Sequence, residues 1–165
     1  MELMDIVDGN DEVVGTASRD DVYGKMLTHR ISHVIVFNAR GDMALQLRSG
    51  VSFCPFHWCT TAGGHVRAGE TYEEAAVREL EEETGKKLPV KFGWKDVYTH
   101  ASDSGTIKKF LATFTAEFDG DIAAGDGVER VEFFSLNAIK RMISSGEKFH
   151  PELLFLLRKH YGIRI

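Results

Sequence analysis

Read for its hydrophobic and polar periods, the chain predicts a series of strands interrupted by helices. Residues 2–7 and 12–18 flank Asp8-Gly9-Asn10-Asp11, a tetrapeptide of turn formers, and predict an N-terminal β-hairpin. Asp20 to Leu27 is weakly helical and reads as a connector. Ile31–Asn38 is a β-rich run, Ala39-Arg40-Gly41-Asp42 a turn, and Met43–Arg48 a second strand. Ser49 to Trp58, which contains Pro55, reads as a loop, and Cys59 to Ala62 leads into a glycine-rich turn at Gly63-Gly64. Val90–Thr99 and Ile107–Phe118 are strands around a polar loop at Ala101–Thr106. A glycine- and aspartate-rich loop follows at Asp119–Gly127, then a last strand over Arg130–Ser135. Leu136–Ser144 and Glu152–His160 are helical by pattern, the latter dominated by Leu153, Leu154, Leu156 and Leu157. Mixed strands with helices to either side predict an α/β sandwich.

One further helix is the most informative stretch. Thr71 is placed as its N-cap, Glu74 as the capping-box partner and Gly85 as a left-handed C-cap. Ala76, Val77 and Leu80 form an apolar stripe, while Glu79, Glu82 and Glu83 project together from another face. That acidic face is unfavourable by itself. Like charges at i, i+4 repel by a few tenths of a kcal/mol per pair, about 0.2–0.5, and the carboxylates gather at the negative end of the helix dipole. Arg78 can pair with Glu74 and Glu82, but one cation does not neutralise the cluster. A solvated, salt-bridged face is the ordinary reading of such a run. Here interleaved lysines are missing, and a hard divalent cation explains the cluster better. Mg²⁺ takes oxygen ligands from a few carboxylates and keeps waters for a phosphate substrate.

Gly64 to Lys86 reads GHVRAGETYEEAAVRELEEETGK. It resembles the Nudix box, G-x5-E-x7-R-E-U-x-E-E-x-G-U with U a bulky apolar residue. Gly64, Glu70, Arg78, Glu79, Leu80, Glu82, Glu83 and Gly85 fill its positions in register, and only Lys86 departs, at the final apolar position. Such a match arises by chance with a probability of roughly 10⁻⁷ at average residue frequencies. The resemblance implies an α/β/α sandwich around a mixed sheet. It also implies Mg²⁺-dependent hydrolysis of a nucleoside diphosphate linked to another moiety X, with Mn²⁺ able to substitute. Carried over by position, Glu82 and Glu83 are metal ligands, and Glu79 a further ligand or the base that deprotonates water. The Gly63 carbonyl is an extra ligand and the Gly64 backbone a place for phosphate to approach. Arg78 orients the glutamates together with Glu70, one step back from the metal.

Composition narrows the class. The chain has 165 residues, 43% hydrophobic, and predicts one globular domain. A net charge of −5 disfavours non-specific binding to nucleic acid or anionic membrane. The opening residues, MELMDIVDGNDE, carry no basic region or long apolar run, so neither a signal peptide nor a membrane span is expected. Cys54 and Cys59 make no disulfide framework, and the cytoplasm is the expected compartment. Family members are frequently homodimers, and the hairpin at 2–18 is the candidate interface.

Outside the box the candidates are fewer. Glu129, following a loop, is a further metal ligand in this reading. Arg48, at the end of a strand, is placed to clamp a phosphate through its planar fork. Trp58, with Phe56 and Trp94, is a candidate to stack on a base, against the commoner core role of aromatics. Cys54, His57 and Cys59 lack the paired spacing of a structural zinc site. His100 and His150 read as surface residues. Over roughly the first half, His29 to Asn38, Pro55 to Trp58 and Gly64-His65 also resemble isopentenyl-diphosphate isomerase, which shares the fold. That resemblance places His29 and His65 where isomerases bind metal. It also implies a cysteine where Gly63 stands, and glutamates in a region, Asp96–Lys109, that has none. A non-catalytic nucleotide-binding module is the remaining alternative, opposed by the intact Glu79, Glu82 and Glu83.

Overall fold

The N-terminal hairpin forms as β1 (Leu3–Val7) and β2 (Val13–Ser18), paired antiparallel. Ser18 caps the short helix α1 (Arg19–Gly24) by accepting from the Asp21 amide. Strands β3 (His29–Phe37) and β4 (Met43–Arg48) follow around the expected turn. The computed structural model describes residues 1–51 and 53–165; Ser52, within the loop expected over 49–58, lies outside the described residues.

β5 (Trp58–Cys59) and β6 (Ala62–His65) come next, and here the structure corrects the sequence reading. Gly63 and Gly64 are extended and paired with β3, not in a turn. The turn comes later, around Gly69 with φ +79°. Close approach explains the glycines instead. A Cβ on Gly63 would lie 2.7 Å from His33 Nδ1, and one on Gly64 would collide with the Glu79 carboxylate.

Helix α2 (Tyr72–Thr84) starts with a complete capping box: the Glu74 amide donates to Thr71 Oγ1 at 3.1 Å, and the Thr71 amide to Glu74 Oε2 at 2.8 Å. Gly85 ends it in the left-handed region, φ 71°. β7 (Lys91–Ser102) and β8 (Gly105–Glu117) run further than their apolar cores suggest, and the polar loop shrinks to a turn at Asp103-Ser104. β9 (Val128–Phe134), α3 (Leu136–Ser144) and α4 (Pro151–His160) complete the chain.

β3 organises the mixed sheet. It runs parallel to β8 from His29↔Lys109 to Phe37↔Glu117, and antiparallel to β6 and β4. Because side chains alternate across a strand, β3 serves both faces. Val34 and Val36 pack with Ala44, Ala112 and Phe114 against Ala76 and Leu80 of α2. Ile35 packs with Met43, Leu45 and Trp58 against Ile139 of α3 and Leu153 and Leu157 of α4. The result is the α/β/α sandwich, with α2 on one side and α3 and α4 on the other. Among the described residues no helix is long and apolar enough to cross a membrane.

Candidate active site at strand β6

The acid face of α2 lies against β6. Glu83 Oε1 accepts the Gly63 amide at 3.2 Å, and its other oxygen takes a short hydrogen bond from Gln46 Nε2. Glu79 stands against Gly64, in the space a Cβ would need. In an extended residue the N–H and C=O point to the same edge, so the Gly63 carbonyl also leaves the strand on the side away from β3. Burial raises the pKa of Glu79, although Arg78 opposes the shift. Burial pushes Glu83 up to about 8, and the adjoining Glu79 charge adds to the shift.

Arg78 is the clamp of this corner. It grips Glu70 with two bonds, Nε to Oε1 at 2.7 Å and Nη2 to Oε2 at 2.9 Å. It also reaches Glu79 Oε1 at 2.6 Å and the His65 carbonyl at 3.0 Å. The Glu70 bonds lead in holding the Arg78 pKa above its usual range. Burial works against the Glu70 charge, yet Arg78 keeps that carboxyl below its ordinary value. Glu82 stays exposed, 3.4 Å from Arg78 Nη1 and 3.7 Å from Arg67 Nη2. Glu74 is not a partner of Arg78, since the capping box holds it. Among the described residues no three His, Cys, Asp or Glu side chains converge closely enough to enclose a metal ion.

The other candidates divide. Arg48 lines a cavity beside Gly63 and donates from Nε to the Phe53 carbonyl at 3.1 Å. Glu129 is exposed, at the bulge where Leu47 pairs with Arg130 and Arg48 with Val128. Trp58 is not a surface for substrate. It is 4% exposed in the core under α3 and α4, with Nε1 donating to Glu147 at 2.8 Å. Trp94 is likewise occupied, stacked on His160 at 4.2 Å, while Phe56 is exposed. His150 is not a surface residue either. It is 6% exposed and caps α4, its Nδ1 accepting from the Glu152 amide at 3.2 Å. His100 lines the cavity, and Cys59 is buried.

The cavity, ≈ 580 Å³, lies on the face of β6 opposite the acids, since Gly63 turns toward His33 and Gly64 toward Glu79. Its floor holds residues that sequence patterning left in strands and helices. Glu152, 5% exposed, accepts from Lys109 Nζ at 3.3 Å and pairs with His33 Nε2 at 3.1 Å. Burial opposes the Glu152 charge, but His33 and Lys109 hold its carboxyl well below the carboxylate range. Lys109 Nζ also lies 5.5 Å from the centre of the Tyr23 ring, and the Tyr23 hydroxyl shares a hydrogen bond with His65 Nε2 at 2.7 Å. Burial, with His29 close by, pushes His65 down to about 3. One signal was present in the sequence: Lys109 and His33 are polar positions within apolar strands, and Glu152 opens a leucine-rich helix.

A mixed sheet between helices, with a glycine-backed acid cluster clamped by one arginine, defines the class. The NUDIX domain model matches residues 27–157, and the chain belongs to the Nudix family. A Nudix hydrolase of Deinococcus radiodurans is 27% identical over 162 residues, covering 97% of this chain and 94% of that protein. The crystal structure of DR0079 from the same organism superposes with a TM-score of 0.80 at 26% identity, covering 97% and 99% of the chains. Isopentenyl-diphosphate Delta-isomerase 2 of Photorhabdus laumondii is 29% identical over 147 residues, 87% of this chain and 83% of that one. The isomerase likeness thus runs well past the first half. Family, relatives and fold together make this chain a hydrolase of the Nudix kind.

Proposed function

We propose that this Nudix hydrolase cleaves the phosphoanhydride bond of a nucleoside diphosphate linked to another moiety X, in the presence of Mg²⁺ or Mn²⁺. The observation that carries the reading is the pair of half-buried carboxylates, Glu79 and Glu83, packed against a backbone with no Cβ at Gly63 or Gly64. These donors fit a hard divalent cation. They are oxygen ligands in a confined space where Arg78 pairs with Glu79; burial raises the pKa of both, and the charge of a neighbouring glutamate adds to each shift. Glu79, Glu82, Glu83 and the Gly63 carbonyl would hold the ion, with Glu129 supplying a further oxygen from the β9 bulge. When bound, such an ion neutralises phosphoryl oxygens and lowers the pKa of water.

The chain itself supplies the rest. Arg78, fixed by Glu70, keeps Glu79 in place at 2.6 Å. Gly64 lets a phosphate approach the β6 backbone. Arg48 clamps a phosphoryl group at the cavity mouth through its remaining guanidinium donors. The same reading takes the cytoplasm as the compartment and a homodimer through hairpin β1–β2, where Val13 and Val14 are exposed, as the assembly. Sedimentation tests the dimer.

The isomerase relative makes a second reading worth stating. It is opposed by Gly63, where a cysteine side chain would meet His33 at 2.7 Å. A panel of nucleotide sugars, dinucleotides, nucleoside di- and triphosphates and isopentenyl diphosphate decides the matter. Metal-dependent release of nucleoside monophosphate or phosphate is expected. Exchange of allylic protons in the prenyl diphosphate, with no phosphate released from any compound, would overturn the proposal.

A further inference from the structure

The loop between β8 and β9 holds the end of α2. An α-helix leaves its last few carbonyls without partners of its own. In α2 the Gly85 amide takes the Glu81 carbonyl at 2.8 Å, and the Glu83 carbonyl is taken from outside, by the Gly125 amide at 2.7 Å. The loop reaches that point along the helix. Ile122, 7% exposed, packs in the cluster that contains Ala76 and Leu80, and Gly125 then lands on the last turn.

Only glycine fits there. A Cβ on Gly125 would lie 2.4 Å from the Glu82 carbonyl oxygen and 2.8 Å from the carbonyl carbon and oxygen of Glu83. The Gly125 φ lies outside the left-handed region, so space and not torsion sets the demand. The obstacle is helix backbone, which cannot swing aside as the end of a side chain can. Restoring an ordinary contact would part loop and helix by about 1 Å, and a misplacement of about that size can cost about a hundredfold in rate.

Beyond Gly125 the chain is tied to the other side of the site. The Val128 amide donates to the Gly125 carbonyl at 3.3 Å, and the Ser49 amide, next to Arg48, donates to the Gly127 carbonyl at 3.1 Å. Val128 itself pairs with Arg48, and Glu129 is the next residue. One short segment thus joins the helix turn of Glu82 and Glu83, the strand end of Arg48 and the bulge of Glu129.

We infer that Gly125 is a positioning residue of the hydrolytic site. Docked without a side chain on the last turn of α2, it sets where Glu82 and Glu83 stand and fixes their spacing to Arg48 and Glu129. This inference rests on the reading of those acids as metal ligands.

The test compares Gly125→Ala with Ile122→Val, which loosens the same loop in the core without crowding the helix end. In EDTA, nitrogen-15 spectra follow the Gly63 amide and the Gln46 side-chain amide, which bond the two Glu83 oxygens. Both resonances move in Gly125→Ala and stay in place in Ile122→Val. Manganese binding, followed by electron paramagnetic resonance, weakens about tenfold or more in Gly125→Ala, as for other groups one step behind a ligand, and less than about twofold in Ile122→Val. In the wild type the Gly125 amide exchanges with deuterium as slowly as the Gly85 amide, a measurement that needs no variant to fold. Exchange as fast as at exposed Ala123 and Ala124 overturns the inference. So do unmoved resonances or unchanged manganese affinity in Gly125→Ala, or equal losses in Ile122→Val. The hydrolytic reading fails separately: the wild type then takes up no manganese and cuts no phosphoanhydride, and the resonances and the exchange rate alone decide the role of Gly125.

Discussion

His150 couples the stability of this fold to pH. Its ring is buried beside Phe53 and caps α4, and burial pushes its pKa down to about 4 from 6.5. The folded protein therefore resists protonating it, whereas the unfolded chain takes up the proton at its ordinary pKa. Stability tied to this group is fully present above pH 6.5 and is lost as pH falls toward 4. At about pH 5 the loss is about 2 kcal/mol, using about 1.36 kcal/mol per pKa unit and the titration of both states. Lys109, Arg48 and His33 face the ring and add to the depression, while Glu152 opposes it. His150→Asn keeps a side chain that caps helices well and removes the proton site. Urea unfolding of both proteins at about pH 8 should agree within about 1 kcal/mol, the usual worth of a cap. At about pH 5 the wild type should have lost about 2 kcal/mol more than the variant. His29 and His65, depressed to about 4 and about 3, destabilise both proteins equally and cancel in the difference. Glu152 loses its contribution only at lower pH, since its carboxyl is held below the ordinary range. Parallel stability–pH curves for the two proteins would refute the reasoning.

Glu83→Gln should lower metal-dependent turnover by more than about a hundredfold, because even groups one step behind a ligand cost about 10–100-fold; circular dichroism should show an intact fold. Trp58→Phe should cost about 1 kcal/mol in thermal unfolding through the lost bond to Glu147, and leave KM for the best substrate unchanged. Gly64→Ala should displace the Glu79 carboxylate and suppress metal-dependent turnover. Gly63→Ala, 2.7 Å from His33 Nδ1, should disturb the cavity side and cost about 1–3 kcal/mol of stability in the same unfolding assay.

Much of this fold could be read before any coordinates, because its signals are local. The capping box at Thr71 and Glu74 and the left-handed Gly85 belong to short-range chemistry, and both ends of α2 fall where they place them. The same holds for the hairpin around Asp8–Asp11 and for α3. Errors arose where tertiary pairing overrides local preference. Gly63-Gly64 has the composition of a turn, yet β3 pairs with it and pulls it straight. Residue type alone offers Trp58 as a candidate to stack on a base, against the commoner core role, and His150 as a surface residue. Trp58 packs on Phe134 and His150 on Phe53, both far away along the chain. The cavity floor was hidden for a related reason. His33, Lys109 and Glu152 are separated widely in sequence, and no short motif joins them.

The glycine pair is where the two kinds of information meet. Motif reading identified Gly64 as one fixed position of a box and Gly63 as a possible carbonyl ligand, without saying why both lack a side chain. An extended strand answers this, because consecutive residues face opposite sides. Gly64 yields its space to Glu79, and Gly63 yields its space to His33. A side chain at either would thicken the thin wall between the acid pocket and the cavity. A Cβ at Gly63 would lie 2.7 Å from His33 Nδ1, which opposes the cysteine that the isomerase likeness implies there.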